Sequence, residues 1–133
     1  MLNLLKNESA YRAAQEEVDK MIGREPVRVE HLKKLEYINA VLRETLRLSP
    51  TAPAMSKQVN PKFQGKATLC KGKYVIEPTD RIVALLGATQ RDPKIYGADA
   101  NEFKPERMFG DNFKNIPNAA WKVRNWIPKI FQC

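Results

Sequence analysis

Few side chains in this sequence have the types and spacing to do chemistry. Glu44 and Arg47 stand three apart in Arg43-Glu44-Thr45-Leu46-Arg47-Leu48-Ser49-Pro50. On a helix that spacing puts a carboxylate and a guanidinium on one face, where they can pair. Such a pair is either solvated and worth little, or buried, in which case each remaining donor and acceptor needs a partner. The pair alone leaves both readings open. Nucleophilic or metal chemistry would fall to Cys70 and Cys133, the only two cysteines. They cannot build a disulfide framework, and no zinc-type spacing accompanies them. The remaining chemical feature is charge. The chain carries 23 Lys+Arg against 15 Asp+Glu, a formal +8. Residues 57–73 hold five lysines (Lys57, Lys62, Lys66, Lys71 and Lys73) and no acid. That stretch is either a solvated loop or a docking face for an acidic protein partner. Its one aromatic, Phe63, and its lack of Arg exclude a nucleic-acid footprint, which interleaves Arg and Lys with stacking rings.

These residues need elements to position them. The chain has 133 residues, 43% hydrophobic and 29% charged, enough apolar content to fold and too little charge for disorder. No apolar run approaches the ~18 residues of a membrane span, and no secretory signal opens the chain. Leu2, Leu4 and Leu5 read as the end of a helix. Tyr11, Ala14, Val18, Met21 and Ile22 recur at helical spacing over 9–22, with Gly23 as the stop. Glu30 to Leu35 suits a short helix. Glu36 to Leu48 suits a stronger one, with Ile38, Val41, Leu42, Thr45 and Leu46 toward a core, and Pro50 ends it. Beyond Pro50, Tyr74-Val75-Ile76 and Ile82 to Leu86 read as short strands around the turn Glu77-Pro78-Thr79-Asp80. From Phe103 the chain reads as irregular but ordered. The expected class is mainly α with a small β part.

Three further stretches keep a fixed order behind Glu44 and Arg47: Leu48-Ser49-Pro50-Thr51-Ala52-Pro53-Ala54, then Gln90-Arg91-Asp92-Pro93 with Tyr96-Gly97, then Phe103-Lys104-Pro105-Glu106-Arg107-Met108. Together they resemble the C-terminal part of a cytochrome P450, the haem-thiolate monooxygenases. Glu44 and Arg47 match that family's Glu-x-x-Arg motif on its K helix. Phe103 to Met108 matches Phe-x-Pro-Glu-Arg-Phe, with Met108 in place of the last Phe. The resemblance implies a fragment of the P450 fold: helices J to K, a short β-hairpin and an irregular meander. It also implies a structural charge triad of Glu44, Arg47 and Arg107. Ala10 to Asp19, Pro50 to Ala54 and Asn115 to Lys122 look like the fungal fatty-acid hydroxylases whose P450 domain is fused to its own reductase. By that likeness Ala52, Pro53, Ala54 and Met55 would line a substrate channel, where small apolar side chains suit an acyl chain. The resemblance further implies haem as cofactor, an NADPH–cytochrome P450 reductase, fused or separate, as partner, and a cytoplasmic setting.

The family texture is expected over residues 1–122, with 123–133 a non-family tail. The family ligates iron through the cysteine of Phe-x-x-Gly-x-Arg-x-Cys-x-Gly, a thiolate that promotes O–O cleavage. The tail Val123 to Cys133 contains no glycine, and the ligand loop needs glycine for its backbone angles. Neither Cys133 nor Cys70, in Cys70-Lys71-Gly72, sits in that motif. Neither is expected as an iron ligand, no residue is assigned as catalytic, and this chain alone is expected not to bind haem. Val123-Arg124 is what GTA-AGA encodes, so a retained intron could supply the tail; a frameshift is the competing origin. The family's central helix, with its acid/alcohol pair, would lie upstream of Met1. Two function classes follow: a haem-dependent monooxygenase by family, and a non-catalytic fragment or partner-binding piece as this chain. An unrelated small basic binding protein is a third class, and it would need the ordered motifs to be coincidence.

Overall fold

The computed structural model describes residues 2–60, 62, 63 and 65–121. The proposed tail and its boundary at 122, Cys133 included, lie outside the described residues. Helix α1 (Leu2–Leu5) leads into α2 (Glu8–Met21), and α3 (Val29–Leu32) precedes α4 (Glu36–Leu48). Strands β1 (Ala54–Gln58), β2 (Ala67–Leu69), β3 (Tyr74–Ile76) and β4 (Arg81–Leu85) follow. The chain continues through α5 (Leu86–Thr89), α6 (Pro93–Tyr96), a 3-10 turn at Pro105–Met108, α7 (Gly110–Asn115) and α8 (Asn118–Trp121).

Helix α2 stops where expected. Ile22 closes its last turn onto the Val18 carbonyl, and Gly23 follows at φ 62°, a conformation glycine reaches without a Cβ clash. Helix α4 matches the expected bounds, but its buried face differs from the expected one. The sequence predicts Ile38, Val41, Leu42, Thr45 and Leu46 toward a core. The buried residues are Ala40, Val41, Glu44, Arg47 and Leu48. Leu42 and Leu46 are 55% and 50% exposed. Apolar periodicity misplaces the face because two charged side chains occupy the inward positions.

The strands form two two-stranded antiparallel sheets, β1–β4 and β2–β3. Residues 77–80 do reverse the chain, with Glu77 N–H donating to Asp80 Oδ2 at 2.9 Å. The strands flanking that turn do not pair with each other. Strand β4 pairs with β1, Met55 opposite Ala84 and Lys57 opposite Ile82. The local hairpin is β2–β3, whose first strand lies inside the lysine-rich stretch read from sequence as a loop. Val59, Ala67 and Ile76, with Leu69 and Ile82 against them, form one small core shared by both sheets. A second core gathers Ala40, Tyr96, Ala100, Met108 and Ala120. There α4 meets the 3-10 turn and the segments around it, and the charged centre sits beside this cluster.

Candidate functional site

Glu44 is fully buried, and Arg47 is 2% exposed. Arg47 Nε donates to Glu44 Oε2 at 2.8 Å and Nη2 to Oε1 at 2.8 Å, a bidentate fork. The other donors reach backbone: Nη1 to the carbonyls of Gln90 (2.7 Å) and Ala100 (2.6 Å), Nη2 to that of Glu102 (3.1 Å). An arginine has five N–H donors, and each has an acceptor here. The guanidinium also lies over the Tyr96 ring, 4.7 Å from its centroid.

Glu44 is equally satisfied. Its Oε1 accepts from Arg47, from the Lys104 backbone N–H at 3.0 Å and from Arg107 Nε at 3.1 Å. Arg107 then spends Nη1 on the Tyr96 carbonyl (2.8 Å) and Nη2 on the Asp99 carbonyl (3.1 Å) and carboxylate (3.2 Å). The structure thus brings Glu44, Arg47 and Arg107 together, one carboxylate between two guanidinium groups. Burying such charges costs several kcal/mol per ion unless their hydrogen bonds are made; here five backbone carbonyls, at 90, 96, 99, 100 and 102, make them.

The stretches between the motifs supply the positioning. Asp92 caps α6, accepting from Lys94 N–H at 2.9 Å, with Pro93 opening the helix. Arg91 Nη2 donates to the Leu48 carbonyl at 2.5 Å, closing the C-terminal end of α4. Gly97 ends α6 at φ 84°; a Cβ there would meet Asp99 Oδ1 at 3.3 Å.

Several contacts have partners that the sequence did not assign, although Lys104 and Glu106 lie within the Phe103–Met108 stretch and Glu17 within Ala10–Asp19. Glu17 on α2 accepts from the N–H groups of Tyr37 (2.8 Å) and Ile38 (2.9 Å), capping α4 from a neighbouring helix. Tyr37 Oη donates to Glu106 Oε1 at 2.7 Å, a second tie between α4 and the 3-10 turn. Burial first, then the Glu106 carboxylate, raises the Tyr37 hydroxyl pKa well above its usual value. Burial likewise raises that of Tyr96, against the opposing pull of Arg47. Arg43 lies over the Phe113 ring at 4.3 Å, and Phe113 packs against Trp121 at 4.6 Å between centroids. Lys104 Nζ pairs with Asp99 at 2.6 Å. That bond and the one from Arg107 hold the Asp99 carboxyl down to about 2, and Asp99 in turn raises Lys104. Only Glu17's distance from Glu36–Leu48 and the acidic–aromatic types could have signalled these contacts; their partners are set by chain crossing.

Ala52, Pro53 and Ala54 are exposed and Met55 is half-buried. The Pro53 carbonyl accepts from Leu86 N–H at 2.9 Å, and Ala54 and Met55 pair with Leu85 and Ala84. They lie in one run that leads into β1. Two open clefts flank the charged centre. One, of about 610 Å³, lies between α2 and residues 102–106. The other, of about 360 Å³, lies between α6, Arg107 and α7. Neither is lined by residues 52–55.

The sequence model of the family described as Cytochrome P450 matches residues 1–121. The chain is 54% identical over 122 residues to a bifunctional cytochrome P450/NADPH–P450 reductase of Aspergillus oryzae, covering 90% of this chain and 11% of that protein. It is 47% identical over 127 residues to a protein of the same name from Fusarium oxysporum, covering 92% and 11%. To a self-sufficient cytochrome P450 monooxygenase of Exserohilum turcicum it is 47% identical over 119 residues, covering 90% and 11%. The chain belongs to the cytochrome P450 family, and its relatives include fungal self-sufficient P450–reductase fusions. It spans 11% of the length of each of these three relatives.

That family implies haem held by a cysteine thiolate. The described residues do not fit that role. Their one thiol, Cys70, is exposed in the β2–β3 turn. No group of three or more His, Cys, Asp or Glu among the described residues could hold a metal ion. What the described residues build is the charged centre and its supports.

Proposed function

We propose that residues 2–121 act as the internal scaffold of a haem-dependent monooxygenase of the self-sufficient, fatty-acid-hydroxylating type, and that this chain alone is non-catalytic. In that family the haem supplies dioxygen activation and the reductase supplies electrons from NADPH. The observation that carries the reading is the saturated centre. Glu44 and Arg47, on a rigid helix, hold the backbone at 90, 100, 102 and 104, and Arg107 holds 96 and 99. These bonds fix the path of an irregular segment that has little regular secondary structure of its own. Their task is to orient the chain beyond Met108, where proton transfer or substrate contact is left to other parts of the domain. The exposed run Ala52, Pro53, Ala54, with Met55, would meet the acyl chain as small apolar surface. The placement of Cys70 in an exposed turn supports the non-catalytic part of the reading.

Two measurements test it. The chain, expressed with haem supplied, should give no reduced, CO-bound band near about 450 nm, the mark of thiolate ligation; such a band would overturn the non-catalytic reading. Residues 1–121 should also replace the matching segment of the Aspergillus oryzae relative. The chimera should keep that band and any fatty-acid hydroxylation, and Glu44→Gln in the chimera should lose the band. A Glu44→Gln chimera with an unchanged band would sink the scaffold role.

A further inference from the structure

We infer that the β2–β3 hairpin and its flanks form a peripheral docking surface for an anionic lipid membrane. Lys57, Lys62, Lys66, Lys71 and Lys73 are all exposed. None of the five appears in an ion pair among the described residues, although Lys104 and Lys114 each hold a carboxylate. The shared core of Val59, Ala67 and Ile76 ties the strands that bear or border these lysines into one unit.

The hairpin tip is built to project. Cys70, Lys71 and Gly72 are consecutive left-handed residues, at φ 54°, 58° and 88°, which turns the chain sharply between Leu69 and its partner Tyr74. The tip presents Lys71 and Lys73 together with Tyr74, 53% exposed, and Val75, 51% exposed; Phe63 is 45% exposed on the same lysine-rich stretch. The Lys73 ammonium lies 5.3 Å from the Tyr74 ring centroid. The next acids in the sequence, Glu77 and Asp80, follow β3 at the end of the hairpin away from its tip.

This chemistry fits lipid headgroups better than an acidic protein. Lysine ammonium groups are point charges on flexible stems and impose no docking geometry, unlike the forked guanidinium that protein carboxylates select. A tyrosine beside a cation is suited to the headgroup level, with its ring in the acyl boundary and its hydroxyl in water. Juxtamembrane lysine clusters gain from anionic lipid at roughly a fivefold affinity increment per cation, within a Debye length of the surface. The contact inferred is peripheral, made by the hairpin surface; no helix among the described residues is long and apolar enough to cross a bilayer. The inference is independent of the charged centre.

The test is co-sedimentation of the full chain with vesicles of phosphatidylcholine alone, or containing about one fifth phosphatidylserine. Binding should require phosphatidylserine and should fall at least tenfold between about 0.1 M and about 1 M salt, as screening shortens. Lys71→Glu with Lys73→Glu should lower it by at least tenfold, and Tyr74→Ser with Val75→Ser by several-fold. Lys33→Glu with Lys34→Glu, the same charge change elsewhere, should leave it within about twofold, as should Leu42→Ser with Leu46→Ser. If the charge-reversed hairpin loses its circular dichroism signal, Lys71→Gln with Lys73→Gln serves instead, with a loss of at least fivefold expected. Equal binding to phosphatidylcholine alone, binding indifferent to the hairpin variants, or retention by polyglutamate with none by vesicles would each overturn the inference. The last outcome would assign the surface to an acidic protein.

Discussion

Glu44 accepts four bonds, from Arg47, Arg107 and the Lys104 backbone, and its removal leaves two guanidinium groups short of a buried charge partner. Breaking a buried ionic arrangement on one side costs about 3–5 kcal/mol. Glu44→Gln should therefore lower the urea midpoint of the chain by that equivalent or abolish the transition, whereas Arg107→Lys, which keeps the charge but loses the fork to the 96 and 99 carbonyls, should cost about 1–3 kcal/mol. Near-equal midpoints for the two variants would show that the centre does not bear the load assigned to it. Asp99 makes a pH-dependent contribution. Its pKa falls from an ordinary 3.8 to about 2. A depressed carboxyl contributes stability in full above its unfolded pKa and loses it as pH falls through the folded one. Stability should drop between about pH 4 and pH 2, and Asp99→Asn should flatten that limb in acid titrations followed by circular dichroism. Lys104, raised by the same pair, contributes in full below its unfolded pKa and loses that contribution as pH rises through its folded pKa in the alkaline range.

Helix α4 and the 3-10 turn are joined twice, by the interior centre and by the Tyr37–Glu106 bond near the surface. Between them these ties fix both position and rotation of the turn relative to the helix. The helix is itself anchored at each end by side chains from elsewhere, Glu17 at the start and Arg91 at the end. Capping contacts are worth about 1 kcal/mol. Glu17→Ala should cost about that amount and should raise hydrogen exchange at the first turn of α4 more than at its last. Uniform loss of protection along the helix would refute the capping role. Gly97→Ala forces a side chain into the φ 84°, ψ −179° region that is essentially glycine's own, a cost of about 1–3 kcal/mol, and should show as a lowered thermal midpoint with helix content retained.

At the scale of the whole molecule, the described chain keeps two small cores rather than one large one. Leu2, Leu5, Leu42, Leu46 and Leu85 are all at least half exposed. Apolar faces of this kind mark interaction surfaces or aggregation liabilities. The isolated chain should bind a hydrophobic dye such as ANS. Leu42→Ser with Leu46→Ser should reduce that signal without loss of helix content, because neither side chain belongs to the buried face of α4. Dye binding unchanged by this pair would place the apolar surface elsewhere.

Much of this was legible in the sequence. The bounds of α4, the stop at Gly23, the turn at 77–80 and the pairing of Glu44 with Arg47 all depend on residues within a few positions of one another, where backbone preference and helical spacing act directly. The ordered motifs also led to the family and to the mixed, mainly helical class. Tertiary structure alone decided which face of α4 is buried, since a bidentate Arg47 and a four-bonded Glu44 lie inward only when the carbonyls at 90, 100 and 102 arrive to meet them. It also decided that β4 pairs with β1 rather than β3, because a turn fixes reversal but not partner. The acceptors that make the centre affordable are backbone atoms of distant segments. A backbone carbonyl is the same in every residue type, so no sequence pattern announces it.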